Sequence, residues 1–209
     1  MTAEASPLPG YYRFHARIYD ATRWSFLFGR DRLINLAAEA VARDGLERPA
    51  RVAEIGCGTG RNLLALSRAL PGASLTGVDL CRPMLERAHR AAARAACPAQ
   101  LHCAAYGPDT FAPGSLDLIV FSYALTMFNP GWEAALDTAR EHLAPGGRIA
   151  VVDFHDTSAA WFRAWMGVNH VRLNGHLMPV LRSGFAPCRH ETRPAYGGLW
   201  RYFLFIGRK

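Results

Sequence analysis

The feature that most constrains the fold of this chain is a glycine-rich turn between a strand pattern and a helical pattern. Residues 51–55 have the apolar character of a strand, glycines follow at positions 56, 58 and 60, and a helical pattern begins at Arg61. Glycines after a strand let the backbone turn tightly and approach a ligand closely, because no Cβ stands in the way. The helix that follows points its N-terminal amides at that ligand. The segment therefore predicts a nucleotide-type binding turn in an α/β fold.

The spacing of the glycines distinguishes between cofactors. A dinucleotide fingerprint has the order G-x-G-x-x-G, which requires a glycine at the position of Arg61. The bulky Arg61 side chain disfavours the close approach of a pyrophosphate, so a dehydrogenase is not the favoured interpretation. Asp79 ends the second strand pattern about 20 residues after the glycines, where a carboxylate accepts hydrogen bonds from ribose hydroxyls. Both observations favour a ribose-bearing cofactor without a 2′-phosphate.

Strand and helix patterns alternate through the middle of the chain. The strand patterns lie at 51–55, 74–78, 100–104, 116–122 and 148–154, and the helical patterns lie near 61–70, 83–96 and 132–143. Such alternation predicts a mostly parallel sheet with helices on both faces. Two further helical patterns, at 158–170 and 175–183, precede closing strands near 187–192 and 199–206. Because Pro194 and the Gly197-Gly198 pair separate those strands, we expect a turn between them and an antiparallel last strand.

These motifs together resemble those of the class I S-adenosylmethionine-dependent methyltransferases. Residues 54–60, Glu-Ile-Gly-Cys-Gly-Thr-Gly, are similar to the first motif of that family, and Asp79 is similar to its ribose-binding acid. Residues 115–120 are similar to its fourth strand, and residues 143–148 to its turn into the fifth. The resemblance covers residues 50–155 and implies a Rossmann-like sheet of seven strands in the order 3-2-1-4-5-7-6. It also implies S-adenosylmethionine as methyl donor and S-adenosylhomocysteine as product.

The expected site residues follow from the motifs and from the resemblance, because ligands of open parallel sheets bind beyond the carboxyl ends of the strands. The residues expected around the cofactor are Glu54, Gly56, Cys57, Gly58, Gly60, Asp79, Leu80, Ala105, Tyr106, Ser122 and Arg23. The residues expected on the acceptor side, with catalytic roles, are Tyr123, His155 and Tyr19. Ala105 stands where many relatives carry an aspartate for the adenine amino group. We therefore expect backbone amides and stacking to hold the adenine, with Asp109 as the less favoured alternative.

The N-terminal region narrows the resemblance. Residues 11–24 and 27–33 are similar to those of the bacterial diacylglycerylhomoserine N-methyltransferases, as are residues 121–127 and 198–202. Such enzymes complete the head group of betaine lipids by three successive N-methylations. The resemblance implies a lipid amine as acceptor and a partner enzyme that makes diacylglycerylhomoserine. It also implies a tail and an aromatic lid of helices at residues 1–48 and a methyltransferase domain at residues 49–209, in a single globular unit.

Three other interpretations stay open on the sequence. A phosphatidylethanolamine N-methyltransferase shares the cofactor, the chemistry and the membrane. A methyltransferase for a soluble metabolite shares the cofactor alone. A cofactor-binding regulatory subunit without catalysis is the non-enzyme alternative. An intact glycine turn with Asp79 argues against the last of these without excluding it.

The charge of the chain is unevenly spread. The net charge is +7, and the stretch from Arg163 to Lys209 carries all of it, with eight basic residues against the single acid Glu191. A basic C-terminal quarter suits an anionic partner. With a lipid acceptor, that partner is the surface of a membrane, which the protein contacts peripherally. Nucleic acid is not expected, because no Asn-Pro-Pro-Tyr-type base-flipping motif is present.

Composition sets the remaining expectations. The longest apolar runs are far shorter than the roughly 20 residues of a membrane span, and the N-terminus lacks the pattern of a signal peptide. We therefore expect a cytoplasmic protein. The five cysteines form no Cys-x-x-Cys pair, so the sequence indicates neither a disulfide framework nor a metal site.

Overall fold

Helices flank a single central sheet in the computed structural model, which describes residues 27–128, 130–168 and 171–209. Within these residues the α-helices are α1 Arg30–Arg43, α2 Arg61–Ala69, α3 Arg82–Arg94, α4 Trp132–His142, α5 Ala160–Val168 and α6 Leu177–Gly184. The strands are β1 Arg51–Ile55, β2 Ser74–Asp79, β3 Ala99–Cys103, β4 Leu116–Ser122, β5 Leu143–Asp156, β6 Ala186–Ala195 and β7 Trp200–Arg208. Each predicted strand and helix in the described ranges is present.

The order of the strands confirms the predicted sheet. It is β3-β2-β1-β4-β5-β7-β6. Strands β1 to β5 pair in parallel, whereas β7 is antiparallel to both β5 and β6. All seven residues of β4 are buried, as expected of a central parallel strand that is covered on both faces. The strand order reverses between β1 and β4. Ligands of such sheets bind at this switch point, beyond the carboxyl ends of the strands.

Two hydrophobic clusters cover the two faces of the sheet. The first cluster includes side chains of α1, α2, α3 and α5. The second includes side chains of α4 and α6. Helix α1 therefore belongs to the layers that flank the sheet. Of the segment predicted as tail and lid, residues 1–26 lie outside the described residues.

Strand β5 begins five residues earlier than its apolar pattern predicts. Its pairing with β4 shifts register, since Leu116 pairs with Leu143 but Leu118 pairs with Arg148. Gly146 lies in this irregular stretch with a φ of 77°, a backbone conformation that favours glycine. The segment that was expected to be a turn before the strand is thus a bulge within it.

Ion pairs fix the amino-terminal edge of the sheet. Asp117 at the start of β4 accepts two hydrogen bonds from the Arg48 guanidinium, at 2.7 and 2.8 Å, and further hydrogen bonds from the backbone and side chain of Arg51. Burial opposes the ionisation of Asp117, but the hydrogen bonds from the two arginines outweigh it and hold its pKa well below the usual range. These ion pairs therefore hold together the amino-terminal ends of β1 and β4.

Candidate cofactor and acceptor site

The glycine turn is closed by backbone hydrogen bonds. The amides of Gly56 and Cys57 both donate to the carbonyl of Val78, at 2.8 and 3.1 Å, and the amide of Gly60 donates to the carbonyl of Cys57 at 2.9 Å. The φ angles of Gly56, Gly58 and Gly60 are 72°, 54° and 77°. A Cβ added at Gly56 would lie only 2.8 Å from the Cβ of Ala124. The turn therefore requires glycine both for its conformation and for its close packing.

Asp79 faces this turn from the end of β2. One carboxylate oxygen accepts a hydrogen bond from the Gly58 amide at 2.8 Å, and the other accepts one from the Cys81 amide at 2.8 Å. The carboxylate is thus held at a fixed position at the carboxyl edge. Each carboxylate oxygen keeps a further lone pair, which suits the two neighbouring hydroxyls of a ribose.

Two other residues of the motif support the turn from inside. Glu54 is buried and accepts a hydrogen bond from the side-chain amide of Asn62 at 2.7 Å. The Cys57 side chain packs with Leu63 and Leu85, and burial raises the pKa of its thiol. The Cys57 thiol is therefore neutral and part of the packing beneath the turn.

The ends of β2 and β3 leave an open apolar surface. Leu80 is 69% exposed although it is a large aliphatic side chain, and Ala105 is exposed beyond β3. Tyr106 instead points into the other face, where its hydroxyl lies 3.0 Å from Nδ1 of His142 and its ring packs against Phe121. Leu80 and Ala105 are thus exposed beyond the ends of β2 and β3, whereas the Tyr106 side chain points away from them.

Ser122 is the last residue of β4, and Tyr123 directly follows it. Tyr123 has a φ of 55° and is buried, and its hydroxyl donates a hydrogen bond to the carbonyl of Phe28 at 2.8 Å. Burial raises the pKa of Tyr123 well above its usual value, so the phenol stays neutral. The Ser122 hydroxyl is buried and has no hydrogen-bond partner in the described part of the chain. Tyr123 thus ties the chain before α1 to the end of β4.

His155 lies at the end of β5. Burial lowers its pKa, although Asp156, with an oxygen 3.9 Å from Nε2, acts in the opposite direction. Within the described residues, Nδ1 of His155 is buried without a hydrogen-bond partner. The ring packs against Gly175, where an added Cβ would lie 3.2 Å from Cε1. His155 is therefore a neutral imidazole at pH 7 with one nitrogen uncommitted.

Three residues remain: two predicted site residues that the structure does not describe, and one buried acid that the sequence did not single out. Tyr19 and Arg23 lie outside the described residues, so their predicted roles stay predictions. Asp153 was given no role on the sequence, yet it is a fully buried carboxylate at the end of β5. The available signal was an acid within the apolar run Val151-Val152-Asp153-Phe154.

Comparison with known proteins agrees with this geometry. Residues 52–147 match the methyltransferase domain family. The chain is 30% identical over 141 residues to the demethylmenaquinone methyltransferase of Thermus thermophilus, covering 65% of this chain and 60% of that protein. It is 33% identical over 115 residues to the trans-aconitate 2-methyltransferase of Paracidovorax citrulli, covering 55% of this chain and 43% of that protein. The chain thus spans between two fifths and three fifths of these relatives.

A solved structure has the same fold as the described residues. It is the 1,6-didemethyltoxoflavin-N1-methyltransferase of Burkholderia thailandensis, with S-adenosylhomocysteine bound, at a TM-score of 0.66 and 17% identity. The match covers 100% of this chain and 93% of that one. Residues 52–147 therefore match a methyltransferase domain, and the fold of the described residues is that of the class I S-adenosylmethionine-dependent methyltransferases.

S-adenosylmethionine is the cofactor of this class of domain, and the residues present here fit it. The glycine turn offers backbone without side chains, Asp79 offers a carboxylate for the ribose, and Leu80 offers an exposed apolar surface for the adenine. In the described ranges, no group of three or more His, Cys, Asp or Glu residues is arranged to hold a metal ion. None of the described helices is both long enough and apolar enough to cross a membrane.

Proposed function

We propose that this domain transfers methyl groups from S-adenosylmethionine to the amine of a lipid head group, in three successive N-methylations of diacylglycerylhomoserine. The main support for a lipid acceptor is the exposed apolar face of α5, which lies beside the site and has arginines near it. The resemblance of residues 11–24 to the diacylglycerylhomoserine enzymes supports the same acceptor. An enzyme that makes diacylglycerylhomoserine is then the expected functional partner.

The roles of the cofactor-side residues follow from their geometry. Asp79 would bind the ribose hydroxyls, the glycine turn would lie against the methionine part, and Leu80 would pack on the adenine. The cofactor supplies an electrophilic methyl group on a sulfonium, and the protein has to hold an acceptor in line with it at near-attack distance.

The residues around the acceptor have to remove protons from its amine. A primary amine must be neutral to attack, and the first and second methylations each leave an ammonium that must lose a proton before the next attack. The third methylation gives a quaternary ammonium and releases no proton. His155, whose pKa is lowered by burial, is the described residue best suited to accept those protons.

Helix α5 presents an apolar surface next to this site. It follows the carboxyl end of β5, and it buries Phe162 and Met166 against the core. On its outer face Trp161 is 66% exposed and Val168 is 78% exposed, with the half-exposed Trp165 between them. This i, i+4, i+7 spacing places the three side chains on one face. Tryptophans on such a face are typical of helices that lie in a membrane interface.

The arginines of the basic C-terminal quarter divide into two groups. Most are paired with acids: Arg189 and Arg193 with Glu191, Arg201 with Asp156, and Arg208 with Asp44. Arg163, Arg172 and Arg182 form no ion pair with the described residues. Arg163 lies on α5, and Arg172 follows the last residue of α5 by four positions. Each such cation contributes about 1 kcal/mol near an anionic membrane surface, so the helix combines apolar and electrostatic attraction.

Methyl transfer to defined vesicles tests the proposal. Labelled S-adenosylmethionine would be incubated with vesicles that contain diacylglycerylhomoserine or phosphatidylethanolamine, each with and without anionic lipid. We expect label in the homoserine lipid, up to the trimethylated product, with faster turnover on anionic vesicles. The double variant Trp161→Ser/Arg172→Glu should lose that acceleration. The control Leu46→Ser/Arg94→Glu, with an exposed leucine and an exposed arginine away from α5, should keep it.

Other outcomes decide between the remaining functions. Label in phosphatidylethanolamine alone would assign the chain to phospholipid methylation. A further reaction would offer trans-aconitate, which appears in the name of one relative. Label in trans-aconitate but in neither lipid would favour a small-acid methyltransferase. Binding of S-adenosylhomocysteine without transfer to any acceptor would favour a regulatory subunit. Each of these results would contradict the betaine-lipid proposal.

A further inference from the structure

A buried carboxylate joins the end of β5 to the loop that follows β4. Asp153 is fully buried. Its Oδ1 accepts hydrogen bonds from the Thr126 hydroxyl at 2.5 Å and from the Phe154 amide at 2.8 Å, and its Oδ2 accepts one from the Thr126 amide at 3.2 Å. Both carboxylate oxygens are therefore engaged, and two of the three bonds go to a single residue on another element.

The position is costly for a carboxylate. Burial raises the pKa of Asp153 to about 6, even though the bonds from Thr126 and Phe154 act in the opposite direction. Among the described residues, no arginine, lysine or histidine forms an ion pair with it. A buried charge without a counterion normally destabilises a protein. An apolar residue would fit the surrounding strand pattern better. Stability therefore does not explain why an aspartate occupies position 153.

The loop that Asp153 holds also touches the cofactor turn. Thr126 lies in a 3-10 turn, Leu125–Met127, directly after Ala124. The Cβ of Ala124 is the atom that a side chain at Gly56 would meet at 2.8 Å. The loop is thus packed against the glycine turn on one side and bonded to Asp153 on the other. It lies between the two halves of the site, the cofactor side and the acceptor side.

We infer that Asp153 is a positioning residue, which holds the loop 124–127 against the glycine turn and thereby sets the shape of the cofactor site. Its consequence for methyl transfer rests on the proposed function, whereas its effect on cofactor affinity does not. Among titratable side chains, Tyr123 interacts electrostatically with Asp153. The pKa of Tyr123 is raised first by burial and then by the Asp153 charge. The other groups around the carboxylate are the Thr126 hydroxyl and the backbone amides of residues 125, 126 and 154.

The test measures the affinity of the full chain for S-adenosylhomocysteine by titration calorimetry. Asp153→Asn turns an amide donor toward donors on Thr126 and Phe154, and Thr126→Val removes the hydroxyl. We expect each variant to bind about tenfold more weakly or worse, since small misplacements at such sites have effects of that order or larger. Thr126→Ser keeps both donors and should bind within about twofold of wild type. Asp137→Asn, which removes an exposed carboxylate on α4, is the matched charge control and should bind like wild type.

The pH dependence separates a positioning role from a merely structural one. As the pH falls through about 6, the Asp153 carboxylate gains a proton and loses acceptor capacity, so wild-type affinity should decrease. The affinity of Asp153→Asn should stay level across the same range. Circular dichroism at each pH would restrict the comparison to folded protein.

Two results would overturn the inference. One is unchanged affinity in folded Asp153→Asn, and the other is a wild-type pH profile that Asp153→Asn shares. Failure of the proposed function is a separate result, because it would appear as an absence of methyl transfer to the lipid by wild type. The affinities of wild type and variants for S-adenosylhomocysteine test the role of Asp153 whether or not the wild-type protein methylates the lipid.

Discussion

Replacing Gly56 by alanine tests the geometry of the cofactor turn most sharply. The φ of Gly56 is 72°, and an alanine there pays about 1–2 kcal/mol for the left-handed conformation. The new Cβ would also lie 2.8 Å from the Cβ of Ala124, and overpacking of this kind costs about 1–3 kcal/mol. We therefore expect Gly56→Ala to lower the free energy of unfolding by about 2–5 kcal/mol.

A second substitution separates these two contributions. Ala124→Gly removes the methyl group that the new side chain meets. By itself it should destabilise the protein by about 1–2 kcal/mol, through one lost buried methyl and the added freedom of glycine. In the double variant the overlap is gone while the φ cost remains. The two substitutions should then be less than additive by about 1–3 kcal/mol, which is the overpacking contribution.

Urea denaturation of the four proteins at pH 7.5 gives this coupling energy. Titration with S-adenosylhomocysteine should show weaker binding in Gly56→Ala and partial recovery in the double variant. A strictly additive cycle would refute the reasoning, since it would mean that the two residues do not meet. So would a Gly56→Ala protein that is destabilised by less than about 1 kcal/mol.

Three further substitutions test the supports of the site. Asp117→Asn should cost about 2–3 kcal/mol at pH 7, measured by urea denaturation, because it leaves Arg48 and Arg51 without their shared carboxylate. Since the pKa of Asp117 is lowered in the fold, its contribution is present above about pH 4 and is lost as the pH falls below that; equal acid sensitivity of wild type and variant would contradict this. Tyr123→Phe should cost about 1 kcal/mol through the lost bond to the Phe28 carbonyl, and an unchanged melting temperature would count against that bond. Arg148→Lys should cost about 1–2 kcal/mol because lysine cannot reproduce the two bonds to Asp44, at 2.5 and 2.6 Å, and a fully stable variant would show that this fork contributes nothing.

The sequence predicted the order of the elements well, because each strand has a local signal. The glycine turn, the position of Asp79 and the closing pair of strands all follow from residue type and spacing, and the structure confirms the predicted sheet. The early start of β5 was not predicted, since Pro145 and Gly146 look like a turn. Only the partner strand shows that they form a bulge.

The sequence did not predict which way individual side chains point or which residues they contact. Tyr106 follows β3 as expected, but its ring turns to His142 on the second face of the sheet. Asp153 looks like one more polar residue at a strand end until the structure buries it against Thr126. The basic quarter is likewise less charged in effect than its composition indicates, because acids from elsewhere in the chain, Asp44 and Asp156, pair with its arginines.

The measurement that tests the central claim most directly is titration calorimetry of the full chain with S-adenosylhomocysteine and, separately, with NAD⁺. We expect one-to-one binding of S-adenosylhomocysteine and no binding of NAD⁺. Asp79→Asn should bind S-adenosylhomocysteine at least about tenfold more weakly, because charge-assisted bonds to the ribose are worth about 1.5–3 kcal/mol each. Binding of NAD⁺, or binding of S-adenosylhomocysteine that Asp79→Asn leaves unchanged, would contradict the assignment of this turn and this carboxylate to the cofactor.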